Sequence, residues 1–283
     1  MSGARARIEP TPGGEAEADG VILRRVDTQE EYDECVRIQD ETWGAGFNER
    51  VPSTILRVTQ FLGGVTAAAF DSERGRMLGF VFGMTGVQDG RLVHWSDLLA
   101  VRPDSRNRGL GRRLKLFQRS LVLPLGVTRM VWTFDPLVAR NAHLNLNLLA
   151  AGVVDYVPDM YGGDTGSALH VAVGTDRFIV AWDLSRDPPA VSRHHGMASP
   201  PPASLVVNRT DPPEAAPASM PNGNEVYIAV PGDIQEVIVA TPELARGWRE
   251  STRAAFLQYL TRGYRVNGFD RTPDQGYYHL TRA

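Results

Sequence analysis

The segment 101–114, VRPDSRNRGLGRRL, gathers Arg106, Arg108, Arg112 and Arg113 around Gly109 and Gly111 in a chain whose formal net charge is only −3. A glycine-bearing turn between a strand and a helix brings backbone N–H groups together at the helix N-terminus, where they bind phosphate oxygens. Arginines beside it add charge-assisted hydrogen bonds to the same oxygens. The spacing predicts a phosphate site over 106–111, where side chains at 109 and 111 would block the approach. The competing reading is a turn followed by a solvated basic helix face. A Walker loop would need Gly-Lys-Ser/Thr, and the GxGxxG dinucleotide fingerprint is spaced differently.

Further side chains could move protons. In RLVHWSDLLAV (91–101) strand alternation puts Asp97 on the face of Leu99 and Val101, with His94 on the other face unless a bulge intervenes. Asp135, in TFDPL, could meet a cation or simply make a turn before Pro136. The single cysteine, Cys35, excludes a disulfide framework and a cysteine metal cluster, and reads as a small buried side chain. Lys115 is the one lysine among thirty basic residues, which we attribute to arginine-biased codon usage.

These residues need elements to hold them. VILRRV (21–26) alternates like a strand, and Thr28 with Glu31 makes a capping box for a helix through Trp43. A short helix follows around 53–61. GGVTAAAF, MLGFVFGMTGV and RLVHWSDLLAV then read as an antiparallel meander. From Gly109 the period turns helical, with Leu110, Leu114, Phe117 and Leu121 on one face. RMVWTF is the next strand, 141–151 a helix closed by Gly152, and VVDYV, ALHVAV and FIVAWDL further strands.

The first twenty residues hold no apolar stretch of signal-peptide type and read as a disordered tail. No apolar run approaches the eighteen residues of a membrane span. With a pI near 6.1 and interleaved charges, neither nucleic acid nor membrane is an expected partner, and a cytoplasmic location is expected. Residues 21–185 are expected to form the main domain. Residues 186–222 are too rich in Pro, Ala and Ser to pack and read as a linker. Residues 223–283 read as a small β-α-β-β appendage, with Leu244, Trp248, Ala255 and Tyr259 on one helix face. About sixty residues bury too little to stand alone, so the appendage is expected to dock. The fold class is α+β: a central mixed, mostly antiparallel sheet flanked by helices, plus the appendage.

The wider spacing Leu99-x-Val101-x-Pro103-x-x-Arg106-x-x-Gly109-x-Gly111 resembles the coenzyme-A signature of the GNAT superfamily of N-acyltransferases. The stretch Asn141 to Gly152, in which the Asn is followed eleven residues on by the closing Gly, resembles that superfamily's later helix. WTFDPL, DMYGG and the WR-x-x-TR tail look like a bacterial branch of GNAT-like proteins. The resemblance implies a GNAT-like fold and acyl transfer from acetyl-CoA or another acyl-CoA, without metal, to the amine of a small molecule. A homodimer is compatible with it.

The resemblance also implies roles. Coenzyme A would lie between two splayed strands, its pyrophosphate on the turn with Arg106, Arg108, Gly109, Leu110, Gly111 and Arg112, its pantetheine along Leu99 and Val101, and Asn141 nearby. A backbone N–H near Leu99 would stabilise the charge that develops on the thioester carbonyl oxygen. An ammonium must lose a proton before it attacks, and Asp97 is the expected base. The superfamily often protonates the thiolate with a tyrosine seven residues after the Asn, where this chain has Leu148. Tyr156 is the expected substitute, with Tyr161 and His143 as alternatives. Leu148 also leaves open a non-catalytic acyl-CoA-binding protein that kept the cleft.

Overall fold

The computed structural model describes residues 16–162, 165–167, 169–170, 173–187, 200–208, 221 and 223–282. Residues 1–15 of the expected tail lie outside them, and its end is ordered: β1 (Ala16–Ala18) pairs antiparallel with β2 (Val21–Arg25). Helix α1 (Gln29–Trp43) starts at the capping box, where Glu31 N donates to Thr28 Oγ1 at 3.3 Å. Then come α2 (Ser53–Phe61), β3 (Val65–Asp71), β4 (Met77–Gln88), β5 (Arg91–Val101) and α3 (Leu110–Val122). They are followed by β6 (Arg129–Phe134), the short α4 (Ala139–Ala142) running into a π-helical segment His143–Leu148, β7 (Gly152–Val157) and β8 (Arg177–Asp183).

These eight strands form one sheet in the order β1-β2-β3-β4-β5-β6-β8-β7. Consecutive hairpins make β1 to β5 antiparallel, as short turns require. The α3 crossover makes β5 and β6 parallel, and they pair only from Val93–Trp95 to Arg129–Val131. Beyond that point the two strands diverge. One face of the sheet is covered by α1 and α2, whose Tyr32, Cys35, Ile38 and Leu56 pack on Phe80, Phe82, Leu98 and Ala100. The other is covered by α3, whose Leu110, Leu114, Phe117 and Leu121 are all buried, as their spacing predicts. Helices on both faces explain why β3 is buried on both sides.

A second sheet, β10-β11-β9, consists of β9 (Glu225–Pro231), β10 (Tyr264–Arg271) and β11 (Gln275–Arg282). Between β9 and β10 lie α5 (Ile234–Ala240), which the sequence reading missed, and α6 (Pro242–Thr261). Its apolar face joins the core of the first sheet: the Phe178 and Phe256 ring centroids are 4.7 Å apart, and Tyr156 and Tyr278 pack against both. On α6 Trp248, Ala255, Phe256 and Tyr259 are buried, whereas Leu244 is exposed. Charged contacts reinforce this. Arg249 makes a bidentate pair with Asp135, 2.7 Å to each oxygen, and Arg253 binds Asp159 and the buried Asp176.

The sequence expectations need further corrections. Of ALHVAV, the described residues Leu169, His170 and Val173 form turns and no strand. Within the expected linker, 200–208 packs: Asn208 exchanges hydrogen bonds with the Ala229 backbone at 2.8 and 3.0 Å, and Val207 is buried. The rest of that stretch, 188–199, 209–220 and 222, lies outside the described residues. The 141–151 helix begins at Ala139 and is π-helical from His143, and left-handed Ala150 (φ 53°) closes it while Gly152 already starts β7.

Candidate active site

The divergence of β5 and β6 opens a cleft of about 1120 Å³. One end of it is the turn into α3. Gly109 caps the helix in the left-handed conformation (φ 72°), with no side-chain cap, so the first-turn amides have no partner within the helix and carry the positive end of its dipole. Leu110, Gly111 and Arg112 line the cleft there. The two glycines serve different needs. A Cβ on Gly109 would meet nothing within 4 Å, so its requirement is backbone conformation. Gly111 has no such backbone requirement, and a Cβ there would lie 3.6 Å from Leu144 Cδ2, an ordinary contact.

The arginine cluster divides. Arg106 stays on the cleft, its Nε donating to Val101 O at 3.1 Å. Its pKa is lowered by burial and by Arg140, with Asp233 acting in the opposite sense. Arg112 also lines the cleft and donates to Leu148 O. Arg108 does not line it and is exposed, near Asp71. Arg113 points elsewhere and donates to Ala18 O and Val21 O, pinning the first hairpin. Two cations not read from the sequence join instead: Arg140 of α4 and Arg271 of β10. Leu99, Val101 and Asn141 line the cleft.

The middle of the cleft depends on a bulge. Phe82 opposes Leu98 and Met84 opposes Trp95, so β5 carries one extra residue between Trp95 and Leu98. Gly83 faces this bulge, and a Cβ on it would lie 2.6 Å from Trp95 O. The bulge resets the alternation. His94 turns to α3, where its Nε2 lies 3.0 Å from Gln118 Nε2, and Leu99 faces α3 too. Asp97 is instead turned toward Trp95, whose indole N–H donates to Oδ1 at 3.0 Å. Its carboxyl opens to the cleft but sits between walls whose desolvation raises its pKa; Trp95 opposes this and the nearby Glu49 adds to it.

The remaining candidates separate as well. Tyr156 does not line the cleft: it is buried, its hydroxyl donates to Asp176, and burial together with that carboxylate pushes its pKa far up. Asp135 reaches the cleft, but its cation is Arg249, so it is not free for a substrate. Tyr161 lines the cleft, its hydroxyl 2.9 Å from Thr133 Oγ1, and His143 lines it beside Asn147.

Lys115 is the functional candidate that sequence reading passed over. It is fully buried on α3, lines the cleft, donates to Ser96 Oγ at 2.7 Å and lies 3.8 Å from the centre of the Trp132 ring. Among the described residues no carboxylate pairs with it, and burial alone holds its pKa well below the usual lysine value. The signal was compositional. Arginine stays charged in a protein interior whereas lysine can shed its proton, so one lysine in a chain of arginines marks a position where that difference matters.

No family model matches the chain, and no curated protein matches it in sequence. Among solved structures it is similar to the ribosomal-protein-S5-alanine acetyltransferase of Vibrio fischeri (12% identity, TM-score 0.48, covering 62% of this chain and 100% of that one). It is also similar to the ribosomal-protein-S18-alanine N-acetyltransferase of Escherichia coli (17%, 0.46, 61% and 99%) and to Arabidopsis thaliana Naa50 in complex with a bisubstrate analogue (11%, 0.45, 57% and 97%). In the signature over Leu99 to Gly111 and in the order of its elements, the chain resembles the GNAT superfamily of N-acyltransferases.

Proposed function

We propose that this protein is an acyl-CoA-dependent N-acyltransferase. The observation that carries the reading is the continuity of the cleft: it runs from the uncapped N-terminus of α3 along the unpaired edge of β5 to the bulge at Ser96–Asp97, with Arg106, Arg140 and Arg271 among the residues that line it. An anion at one end, an extended arm paired to Leu99 and Val101, and an acyl group at the bulge fit this shape in sequence. A bulge leaves backbone amides out of the ladder, which suits stabilisation of a carbonyl oxygen as negative charge develops on it. Arg108 is not part of this reading, and Asn141 lines the path of the arm.

The acceptor is proposed to be an amine. Asp97 and Glu49 line the end of the cleft beyond the bulge, beside the stacked Trp43 and Phe47, and a cationic head group suits two carboxylates and two aromatic rings. Asp97 takes one proton from the ammonium, helped by surroundings that raise its pKa toward the working range of a base. The amine then attacks the thioester directly. Burial of Tyr156 removes it as the acid, while Tyr161 lines the cleft. A small-molecule amine and a peptide N-terminus share this chemistry.

The test is calorimetric titration with acetyl-CoA, followed by thiol release over a panel of amines and short peptides. Asp97→Asn is expected to lower turnover roughly a hundredfold at unchanged acetyl-CoA affinity. Absence of acetyl-CoA binding defeats the whole reading. Tight binding without thiol release on any amine would instead favour an acyl-CoA-binding protein without catalysis, the reading that Leu148 leaves open.

A further inference from the structure

Lys115 occupies the point where the two strands part. Trp95 and Val131 are the last paired residues of β5 and β6, and the next residue on each strand, Ser96 and Trp132, holds the Lys115 amino group from either side. An arm laid between the strands from the α3 turn ends against this nitrogen. About five residues of β5 separate Val101 from Ser96, or roughly 16 Å of extended strand.

The bonds around Lys115 run in one direction. Its Nζ donates to Ser96 Oγ, and Ser96 donates to Gln118 Oε1 at 2.7 Å. Gln118 Nε2 carries only donors, so His94 Nε2 must accept from it, which puts the ring proton on Nδ1, 3.0 Å from Thr85 Oγ1. Thr85 donates to Gly63 O at 2.8 Å and ends the chain. Every member is neutral, and the chain offers Lys115 an acceptor for one N–H and no counter-charge. Of the elements packed here, β5 presents Ser96 and His94 and, at the bulge, Asp97, β6 presents Trp132 and α3 presents Gln118; His94 is held neutral, its pKa lowered to about 3 by burial and by Lys115. The Trp132 face favours a cation, so the ammonium is tolerated as a transient state.

Building on the acyl-CoA reading, we propose that Lys115 carries the second proton of the transfer from the attacking nitrogen to the departing sulphur. Asp97 has already taken the first proton, converting ammonium to amine. As the amine adds to the thioester carbonyl, its nitrogen gains positive charge and passes a proton to the neutral Lys115. The C–S bond breaks, and the Lys115 ammonium returns that proton to the thiolate. Amine and thioester thus become amide and free thiol, with Lys115 unchanged. The group supplies the acid missing at Leu148, and arginine could not serve, because its guanidinium never gives up a proton.

Because Lys115 is the only lysine, the full-length protein tests this directly. With lysine labelled by carbon-13, the single Cε resonance is expected to titrate far below the midpoint of a free lysine; a midpoint near the ordinary value overturns the proposal whether or not any variant folds. Acetyl-CoA is expected to bind wild type and Lys115→Met equally by calorimetry. Failure to bind wild type removes the acyl-CoA reading, whereas a loss confined to the variant makes Lys115 a binding residue and overturns the shuttle. Transfer is then followed as hydroxamate formation from acetyl-CoA and hydroxylamine, which is uncharged at pH 7 and so does not need Asp97. Lys115→Met is expected to lose about a hundredfold in kcat at unchanged KM, without rescue by Lys115→Arg. An undiminished rate, or stoichiometric acetylation of Lys115 itself, overturns the shuttle.

Discussion

Gly111 lacks the conformational need of Gly109, and that makes it the cleaner probe of the phosphate site. Gly111→Ala fits the space beside Leu144 and improves the helix by roughly 0.5–1 kcal/mol, yet puts a methyl group over the first-turn amides. We expect unchanged or raised Tm and at least tenfold weaker acetyl-CoA binding by calorimetry; equal affinity would remove the turn from the site. Gly109→Val, by contrast, is expected to cost stability through its φ of 72°. Titrating residues set the pH response. Burial lowers His94 to about 3 and His170 to about 4, each below the unfolded value near 6.5. A depressed pKa means that their contribution is complete above pH 6.5 and is lost as pH falls toward those values. Denaturant midpoints are therefore expected to drop between pH 7 and pH 5, and a flat profile would show that both rings are solvated.

At the scale of elements, α6 is tied to the ends of β6 and β8 by the WR-x-x-TR segment. Arg249 is 4% exposed and makes the short pair with Asp135, so Arg249→Ala leaves that half-enclosed carboxylate only the longer 3.8 Å contact with Arg177. Losing one partner of a buried pair costs about 3–5 kcal/mol, which chemical denaturation reads directly. A loss under 1 kcal/mol would mean that water already reaches Asp135. Arg140 and Arg271 belong to α4 and β10, and both line the cleft. Substituting both by Ala is expected to weaken acetyl-CoA binding several-fold and to flatten its salt dependence, since both act through charge.

For the whole molecule, the two sheets share one apolar core. The first sheet contributes Tyr156 and Phe178, the second sheet Phe269 and Tyr278, and α6 Phe256. Ending the chain after Asp187 would uncover those rings and strip Asp135 and Asp176 of Arg249 and Arg253. The shortened protein is expected to aggregate or melt well below the full chain, by light scattering and calorimetry. It would also lack Arg271 and Asp233 from the lining of the cleft. A monodisperse fragment with the original Tm would make the second sheet an independent module.

Local chemistry was legible in the sequence. The capping box at Thr28, the strand run through Val101, the turn at Gly109 and the apolar stripe of α3 follow from spacings of two to four residues, because caps, turns and amphipathic faces are made by neighbours in the chain. What depended on distant partners was not legible. The bulge that turns His94 toward α3 arises from the pairing of β5 with β4, and no strand announces its own register. Tyr156 passes for a catalytic acid until Asp176 and Phe256 are packed around it, and Asp135 for a substrate anchor until α6 brings up Arg249. Lys115 was visible as a lone letter. Only the meeting of α3, Ser96 and Trp132 shows it to be a buried amine, because desolvation belongs to the assembled fold and not to any segment of the chain.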